Sequence, residues 1–511
     1  MKIFQPKFLE TLKNYNKKQL VSDLVAGVIV AIIALPLSIA LAIASGVSPE
    51  KGLYTAIVAG FFIALLGGSR VNISGPTAAF ATIVAGIVAQ YDIGGLVLAT
   101  LMAGILLILM GIFRLGALIK YIPHTITTGF TSGIAVTIVV GQIKDFLGLS
   151  FPAGTHAVET TEKIAAIAES IQTLNPWALL VGAIGLAILI VWPYISKKIP
   201  GSLIAVLVGT ALVKLTGMEV NTIGDLYSIS RSLPPFTLPT FDFGMVKELI
   251  PSACTIAILA GIESLLSCVV SDGMIKDRHN SNTELIAQGV GNIASALFGG
   301  IPATGAIART AANVKNGGRS PLAGMVHAAV LLLILVVLMP YAAWIPMPII
   351  AAILFMVAYN MCEWRQFVKI CKTAPKSDIL VLVVTFVLTV VFDLVVAIAV
   401  GMVIAVVMFM KRMGDVTQVR SKILGETQIV KIKGPMFFAS ADKFETIKPE
   451  EGVKVLILDL FAVQALDETA ARCFFKIQKA CQEAGVEFQV ENVQAQPRKA
   501  LKKAGFDPSD V

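Results

Sequence analysis

The chain has 511 residues, 56% of them hydrophobic and 14% charged, with a formal net charge of +8 and a mean hydropathy of +0.81. Soluble domains carry roughly 25% charged residues, so this composition excludes a water-soluble globular protein and points to one dissolved in lipid. The positive balance does not imply a nucleic-acid partner, because the lysines and arginines flank apolar runs, as the positive-inside rule produces.

Residues 1–22 form a basic leader, with Lys2, Lys7, Lys13, Lys17 and Lys18 ahead of the first apolar run. No small-residue cleavage site follows a short apolar core, so the run reads as a retained span and not a signal peptide. A spanning helix needs about 20 apolar residues. Residues 24–145 are almost continuously apolar, broken at Ser48-Pro49, at Gly67 to Arg70, at Tyr91-Asp92 and from Arg114 to Lys120, which leaves room for five spans. A polar stretch at 150–174 precedes two spans at 176–195 and 201–216. A second polar stretch at 217–245 precedes seven more, some of them short, at 246–413. With the N-terminus inside, the inner loops hold Arg70, Arg114 with Lys120, Lys197 with Lys198, Lys276 with Arg278, Lys315 with Arg319, and Lys369, Lys372 and Lys376. Every expected inner loop is basic, so both termini are expected in the cytoplasm of a multi-pass cell (inner or plasma) membrane protein.

The two halves repeat. Residues 53–68 read LYTAIVAGFFIALLGG and residues 285–300 read LIAQGVGNIASALFGG, with Leu, Val, Ala, Leu and Gly-Gly in register. Each string runs into a Gly/Pro break, Ser74-Gly75-Pro76-Thr77 in the first half and Pro302-Ala303-Thr304-Gly305 in the second, and then into a short apolar run. Interrupted short segments at matching places in two halves point to a transporter's binding site. Seven spans is an odd offset, so the repeat is inverted.

From 414 to 511 the sequence is soluble in character. Strands are expected at 427–438, 453–460 and 486–490, and helices at 468–484 and 496–504, stopped by Gly485 and Gly505. This alternation implies a small α/β domain. The expected division is thus a leader at 1–22, a membrane domain at 23–413 and a soluble domain at 414–511.

The chemistry gathers at the two breaks. Half-helices starting at mid-membrane present free N–H groups and the positive ends of their dipoles, which bind an anion without a buried cation. Gly75, Pro76, Thr77, Ala78, Ala79 and Phe80 suit one such start, with Pro76 at a first turn that wastes no N–H. Gly305, Ala306, Ile307, Ala308 and Arg309 suit the facing start. Small residues there equally serve tight helix packing, but their symmetry favours a site. Glu263 and Arg309 are the only ionisable residues expected squarely inside spans. A charge there costs at least about 2.5–3.5 kcal/mol, so such residues are read as functional unless they form a structural ion pair. Ser267, four residues on, shares the face of Glu263.

The six cysteines form no CxxC pair and the four histidines no ligand spacing. They read as reduced packing residues, and no metal centre or cofactor is expected. No nucleophile–base constellation suggests an enzyme.

Leu35-Pro36 with residues 40–49 (ALAIASGVSP), Gly52-Leu53-Tyr54, Gly67 to Arg70, Ser74 to Thr77, Glu263-Ser264-Leu265-Leu266 and residues 305–310 (GAIART) resemble the SulP (sulfate permease, solute carrier 26-like) family over nearly the whole chain. The C-terminal segment resembles a STAS domain. The resemblance implies an α-helical polytopic membrane protein of fourteen spans in two inverted seven-span repeats, split into core and gate domains. It also implies an elevator-type homodimer and a small-anion substrate of the sulfate, bicarbonate or C4-dicarboxylate class. The family's anion site maps onto Pro76 to Phe80 and Ala306 to Arg309. Leu37 and Leu41 stand where other members are often polar or aromatic. Glu263 in place of the Asp of sodium-coupled members resembles the proton-coupled ones, so the expected coupling ion is a proton, with sodium at Glu263 and Ser267 as the alternative. In STAS phosphoswitches a Ser or Thr stands where Thr469 does, but Glu468 replaces a small residue, so docking to a cytoplasmic partner or dimerisation is the expected role. Two other readings have less support. A sensor signalling through STAS would need an output motif, and nucleobase–cation symporters usually lack the STAS tail.

Overall fold

The computed structural model of the chain describes residues 4–506 apart from 14, 118–122, 153–156, 158, 197–198, 231, 239–242 and 393. Lys2, Lys120, His156, Lys197, Lys198 and positions 507–511 of the expected soluble domain lie outside the described residues. The chain forms two compact units, Met1–Gly401 and Met402–Val511.

The membrane helices in chain order are α1 Lys17–Ala44, α2 Pro49–Leu66, α3 Ala81–Ile112, α4 His124–Leu147, α5 Pro176–Ile195, α6 Gly201–Thr216, α7 Phe243–Ile275, α8 Ser281–Leu297, α9 Ile307–Lys315, α10 Pro321–Ala342, α11 Met347–Met361, α12 Lys376–Val391 and α13 Leu394–Val416. Among the described residues, nine helices are long and apolar enough to cross a membrane. Helix α3 bends at Asp92, whose φ of 56° leaves the helical region and divides it into two arms. The shorter α6, α8, α9 and α12 lie among the long helices in chain order.

Local chemistry sets the helix ends. Proline occupies the first turn of α2, α5, α10 and α11, where its missing N–H costs nothing. The Asn175 side chain accepts from the N–H groups of Trp177 and Ala178 and so caps α5. Gly148 and Gly217 close α4 and α6 in the left-handed conformation. The stretch at 150–174, expected as a polar loop, contains the short helix Thr160–Ser170, started by a capping box between Glu159 and Glu162.

Between α2 and α3 lies the two-residue strand β1, Ser74–Gly75. Between α8 and α9 lies β2, Thr304–Gly305. They pair antiparallel, Ser74 with Gly305 and Gly75 with Thr304. This is the geometry an inverted repeat requires: equivalent breaks in the two halves meet head to tail.

At the N-terminus, the short helix Lys7–Leu12 is pinned to this region. Lys7 N donates to Gly67 O at 2.9 Å and Gln5 N to Thr283 Oγ1 at 3.0 Å. Arg70 pairs with Glu10 at 2.8 Å and with Asp277 at 2.9 Å.

The second unit has a four-stranded sheet in the order β3 Gln418–Leu424, β4 Thr427–Lys433, β5 Val455–Ala462, β6 Glu487–Glu491, with the first pair antiparallel and the others parallel. Helix α14, Glu468–Ala484, carries the chain from β5 to β6, and α15, Ala495–Lys503, follows. Phe444, Leu456, Leu458, Phe474 and Phe488 fill the core. Strand β3 carries no sequence signal because almost all of its residues are exposed, so no apolar alternation marks it.

Gly68 is one of the positions where the backbone of one segment lies hard against another. A Cβ there would lie 2.1 Å from the Asn280 carbonyl oxygen, whereas one at Gly273 would meet nothing within 4 Å. Overpacking of this kind costs about 1–3 kcal/mol. Gly68→Ala is therefore expected to lower the melting temperature of the purified protein clearly, and Gly273→Ala to leave it unchanged or slightly raised. Scanning fluorimetry of both variants checks this.

Candidate functional site

The β1–β2 crossing leads directly into two helix starts. After β1 the chain passes Pro76 and Thr77 into a single 3-10 turn, Ala78–Phe80, which continues as α3. After β2, Ala306 caps the start of α9. The Ala306 N–H is spent on Ile73 O at 2.8 Å, so the free donors of this start begin at Ile307. Ala78, Ala79 and Phe80 are buried, Thr77 and Ala306 are half-buried, and Ile307 and Ala308 are exposed. The glycines of the crossing permit close approach. A Cβ on Gly75 would come within 2.6 Å of Arg309 Nη1, and one on Gly305 within 2.7 Å of Asn72 Nδ2.

The crossing brings the predicted residues together across the repeat. Thr77 Oγ1 donates to Glu263 Oε2 at 2.9 Å, linking the first helix start to α7. Arg309 reaches back from α9, and its Nη2 donates to the Pro76 carbonyl. Its Nη1 is buried and has no hydrogen-bond partner among the described residues. Glu263 and Arg309 are electrostatic neighbours. No ion pair closes between them: the carboxylate is held by Thr77 and the guanidinium by a backbone carbonyl. The break therefore holds one carboxylate, one guanidinium with a spare donor, and two helix N-termini. That set can accept an anion and, separately, a proton or small cation.

Ser267 is placed differently. Its hydroxyl is shared between Asn72 Oδ1 at 2.7 Å and Thr310 Oγ1 at 3.1 Å, and not with Glu263. Leu37 is half-buried and Leu41 buried on α1. Thr469 is exposed in the first turn of α14, behind the cap made by Asp467 and beside Glu468, which pairs with Arg472 at 2.9 Å.

The structure also adds groups that the reading of the sequence missed. Asp23, Glu284 and His327 are ionisable, wholly buried and on membrane helices. Glu284 Oε2 accepts from Gly68 N at 2.9 Å, while its Oε1 accepts from Asn72 Nδ2 at 2.7 Å, Ser264 Oγ at 3.0 Å and Gln288 Nε2 at 3.1 Å. Asp23 accepts from Tyr15 Oη at 2.7 Å and Arg319 N at 2.8 Å. Both carboxylates lie close to helix starts, where they look like capping residues next to a loop. The available signal was Glu284 four residues beyond the cap Asn280, in a stretch opposite Gly67-Gly68.

A bundle of membrane helices built on two crossed, broken segments, with polar groups gathered at the break, and followed in the chain by an α/β domain, defines a polytopic membrane transporter with a STAS domain. The chain belongs to the sulfate permease family, which it matches over residues 20–385, and it matches the STAS domain over 418–510. It is 40% identical to YvdB of Bacillus subtilis (strain 168), over 98% of this chain and 96% of that protein. The solved transmembrane domain of the cyanobacterial bicarbonate transporter BicA superposes with a TM-score of 0.68 at 31% identity, covering 77% of this chain and all but 2% of the other (98% covered). The overall structure of SLC26A9 superposes with a TM-score of 0.88 at 20% identity over 98% of this chain and 88% of that one, a likeness of fold.

Removing the guanidinium removes the one cation found at the break among the described residues. Arg309→Ala is expected to weaken anion binding by about tenfold, which corresponds to roughly 1.4 kcal/mol. Calorimetry with sulfate and with bicarbonate on the folded variant checks this.

Proposed function

We propose that this chain is a secondary active carrier of small anions of the sulfate, bicarbonate or C4-dicarboxylate class, moving its anion together with a proton by an elevator-type motion. The names of its relatives support the cargo class: YvdB is named for sulfate transport and BicA for bicarbonate. In this reading Gly75 to Phe80 and Gly305 to Arg309 hold the anion, and Glu263 carries the proton. The transport domain spans 23–413 and the STAS domain 414–511, with both termini in the cytoplasm and the carrier working as a homodimer in the cell membrane. The STAS domain serves docking to a partner and not catalysis.

The observation that carries the proposal is the Thr77–Glu263 hydrogen bond, which places a carboxylate directly against one helix start. Protonated, Glu263 adds no repulsion to an entering anion. Ionised, it opposes the anion, and strongly so in a low dielectric. Anion and proton then bind cooperatively, each favouring the other by the same factor. Symport follows when the loaded and the empty carrier move and the half-loaded one does not. The alternative is sodium at Glu263 with Ser267. What supports the proton over sodium is that the Ser267 hydroxyl is turned to Asn72 and Thr310 and makes no hydrogen bond with Glu263, so the two residues do not form a joined ligand pair.

In proteoliposomes, an inward acid gradient is expected to drive uptake of radiolabelled sulfate or bicarbonate without sodium. Glu263→Gln imitates the protonated state and is expected to keep anion exchange while losing acid-driven accumulation. Uptake that needs sodium and ignores the pH gradient refutes the proton and establishes the sodium reading. Full transport by a folded Ala79→Trp protein, which carries a bulky ring at the helix start, refutes the site itself.

A further inference from the structure

Glu284 has no part in the coupling scheme above, yet four donors from three separate parts of the membrane unit converge on its carboxylate. It is wholly buried, and its two oxygens accept from Gly68, Asn72, Ser264 and Gln288. Asn72 passes the restraint on: its Oδ1 accepts from Ser267 Oγ at 2.7 Å and from Thr310 Oγ1 at 3.0 Å. Thr310 Oγ1 in turn accepts from Ile73 N at 2.9 Å. Gln288 Nε2 also lies 3.1 Å from Ser74 Oγ and 2.7 Å from Ser264 Oγ.

The positions of these contacts along the chain matter. Ser264 follows Glu263. Thr310 follows Arg309. Ile73 and Ser74 open β1, and Gly68 begins the loop that leads to it. Glu263 and Arg309 therefore each sit one residue from a residue tied to Glu284 directly or through Asn72, and Gly75 sits two from Ile73, which is tied through Asn72 and Thr310. The carboxylate makes no hydrogen bond to Gly75–Phe80 or Gly305–Arg309 among the described residues, but its partners adjoin both segments.

We infer that Glu284 is a positioning residue of the anion site, holding α7, α8, α9 and β1 in register through Ser264 and Asn72. The inference rests on the anion-site reading given above. It also assigns a task to Asn72: its amide is oriented with the nitrogen on Glu284 and the oxygen on Ser267 and Thr310, so a change at Glu284 is felt at Arg309. Glu284→Gln puts an amide where one carboxylate oxygen accepts and sets its NH2 against a donor. Glu284→Asp keeps the charge and shortens the reach.

The test is uptake of radiolabelled sulfate and bicarbonate by the full chain in proteoliposomes, with KM and maximal rate per folded carrier measured separately. Glu284→Gln is expected to raise KM by about tenfold or more, in the range typical of coupling between sites, and Glu284→Asp to restore part of the loss. Asp23→Asn disturbs a comparably buried carboxylate away from the crossing and is expected to lower the melting temperature without changing KM. Should Glu284→Gln not fold, Ser264→Ala removes one donor from the same carboxylate and is expected to raise KM about threefold. An unchanged KM in the folded Glu284 or Ser264 variants, with only stability reduced, overturns the inference. The anion site stands or falls separately, on Ala79→Trp and Arg309→Ala, which do not touch Glu284.

Discussion

A broken helix inside a bilayer exposes backbone N–H and C=O groups where no water can satisfy them. Two such breaks in one bundle are sustainable when they satisfy each other. Here Ser74-Gly75 and Thr304-Gly305 pair antiparallel, Ala306 N adds a bond to Ile73 O, and side chains take the remaining groups. Asn292 binds both the N–H and the C=O of Ala303, Thr310 binds Ile73 N, and Asn313 binds Val71 O. The polar residues of the core are thus first of all the hydrogen-bond partners of an irregular backbone. The inverted repeat is what makes the arrangement possible, since each half supplies the partner for the other.

Once the crossing is in place, electrostatics follow from it. A helix start follows each strand of the crossing, and a helix N-terminus favours negative charge. Arg309 adds a cation whose guanidinium is fixed by the Pro76 carbonyl. Glu263 adds an anion fixed by Thr77. Buried carboxylates cost free energy unless donors surround them, and the two treated most generously here, Glu284 and Asp23, face several donors each. Among the described residues, Glu263 accepts from the single donor Thr77.

The STAS unit obeys simpler rules. Helix α14 runs over 468–484 as its caps foretell, from Asp467 to a left-handed Gly485. Strands β4, β5 and β6 fall within one to five residues of the expected ends. These elements were legible because each buries one face and exposes the other. The strand that was missed, β3, buries almost nothing.

By itself the sequence determined the class of protein, the repeat, the two breaks and the two residues Glu263 and Arg309. All of these are written in composition and in local order. Apolar runs must reach across lipid, prolines and glycines must interrupt helices, and a charge in such a run stands out. Only the tertiary structure decided which groups meet. Glu284 and Asn72 sit near helix ends, where polar residues are common and carry no local signal, and they matter because residues 68, 72, 264, 267, 288 and 310 converge on them in space. Ser267 shares a helix face with Glu263 in sequence but is drawn to Asn72 in the fold, because a hydroxyl has one proton to give and the nearest buried acceptor takes it.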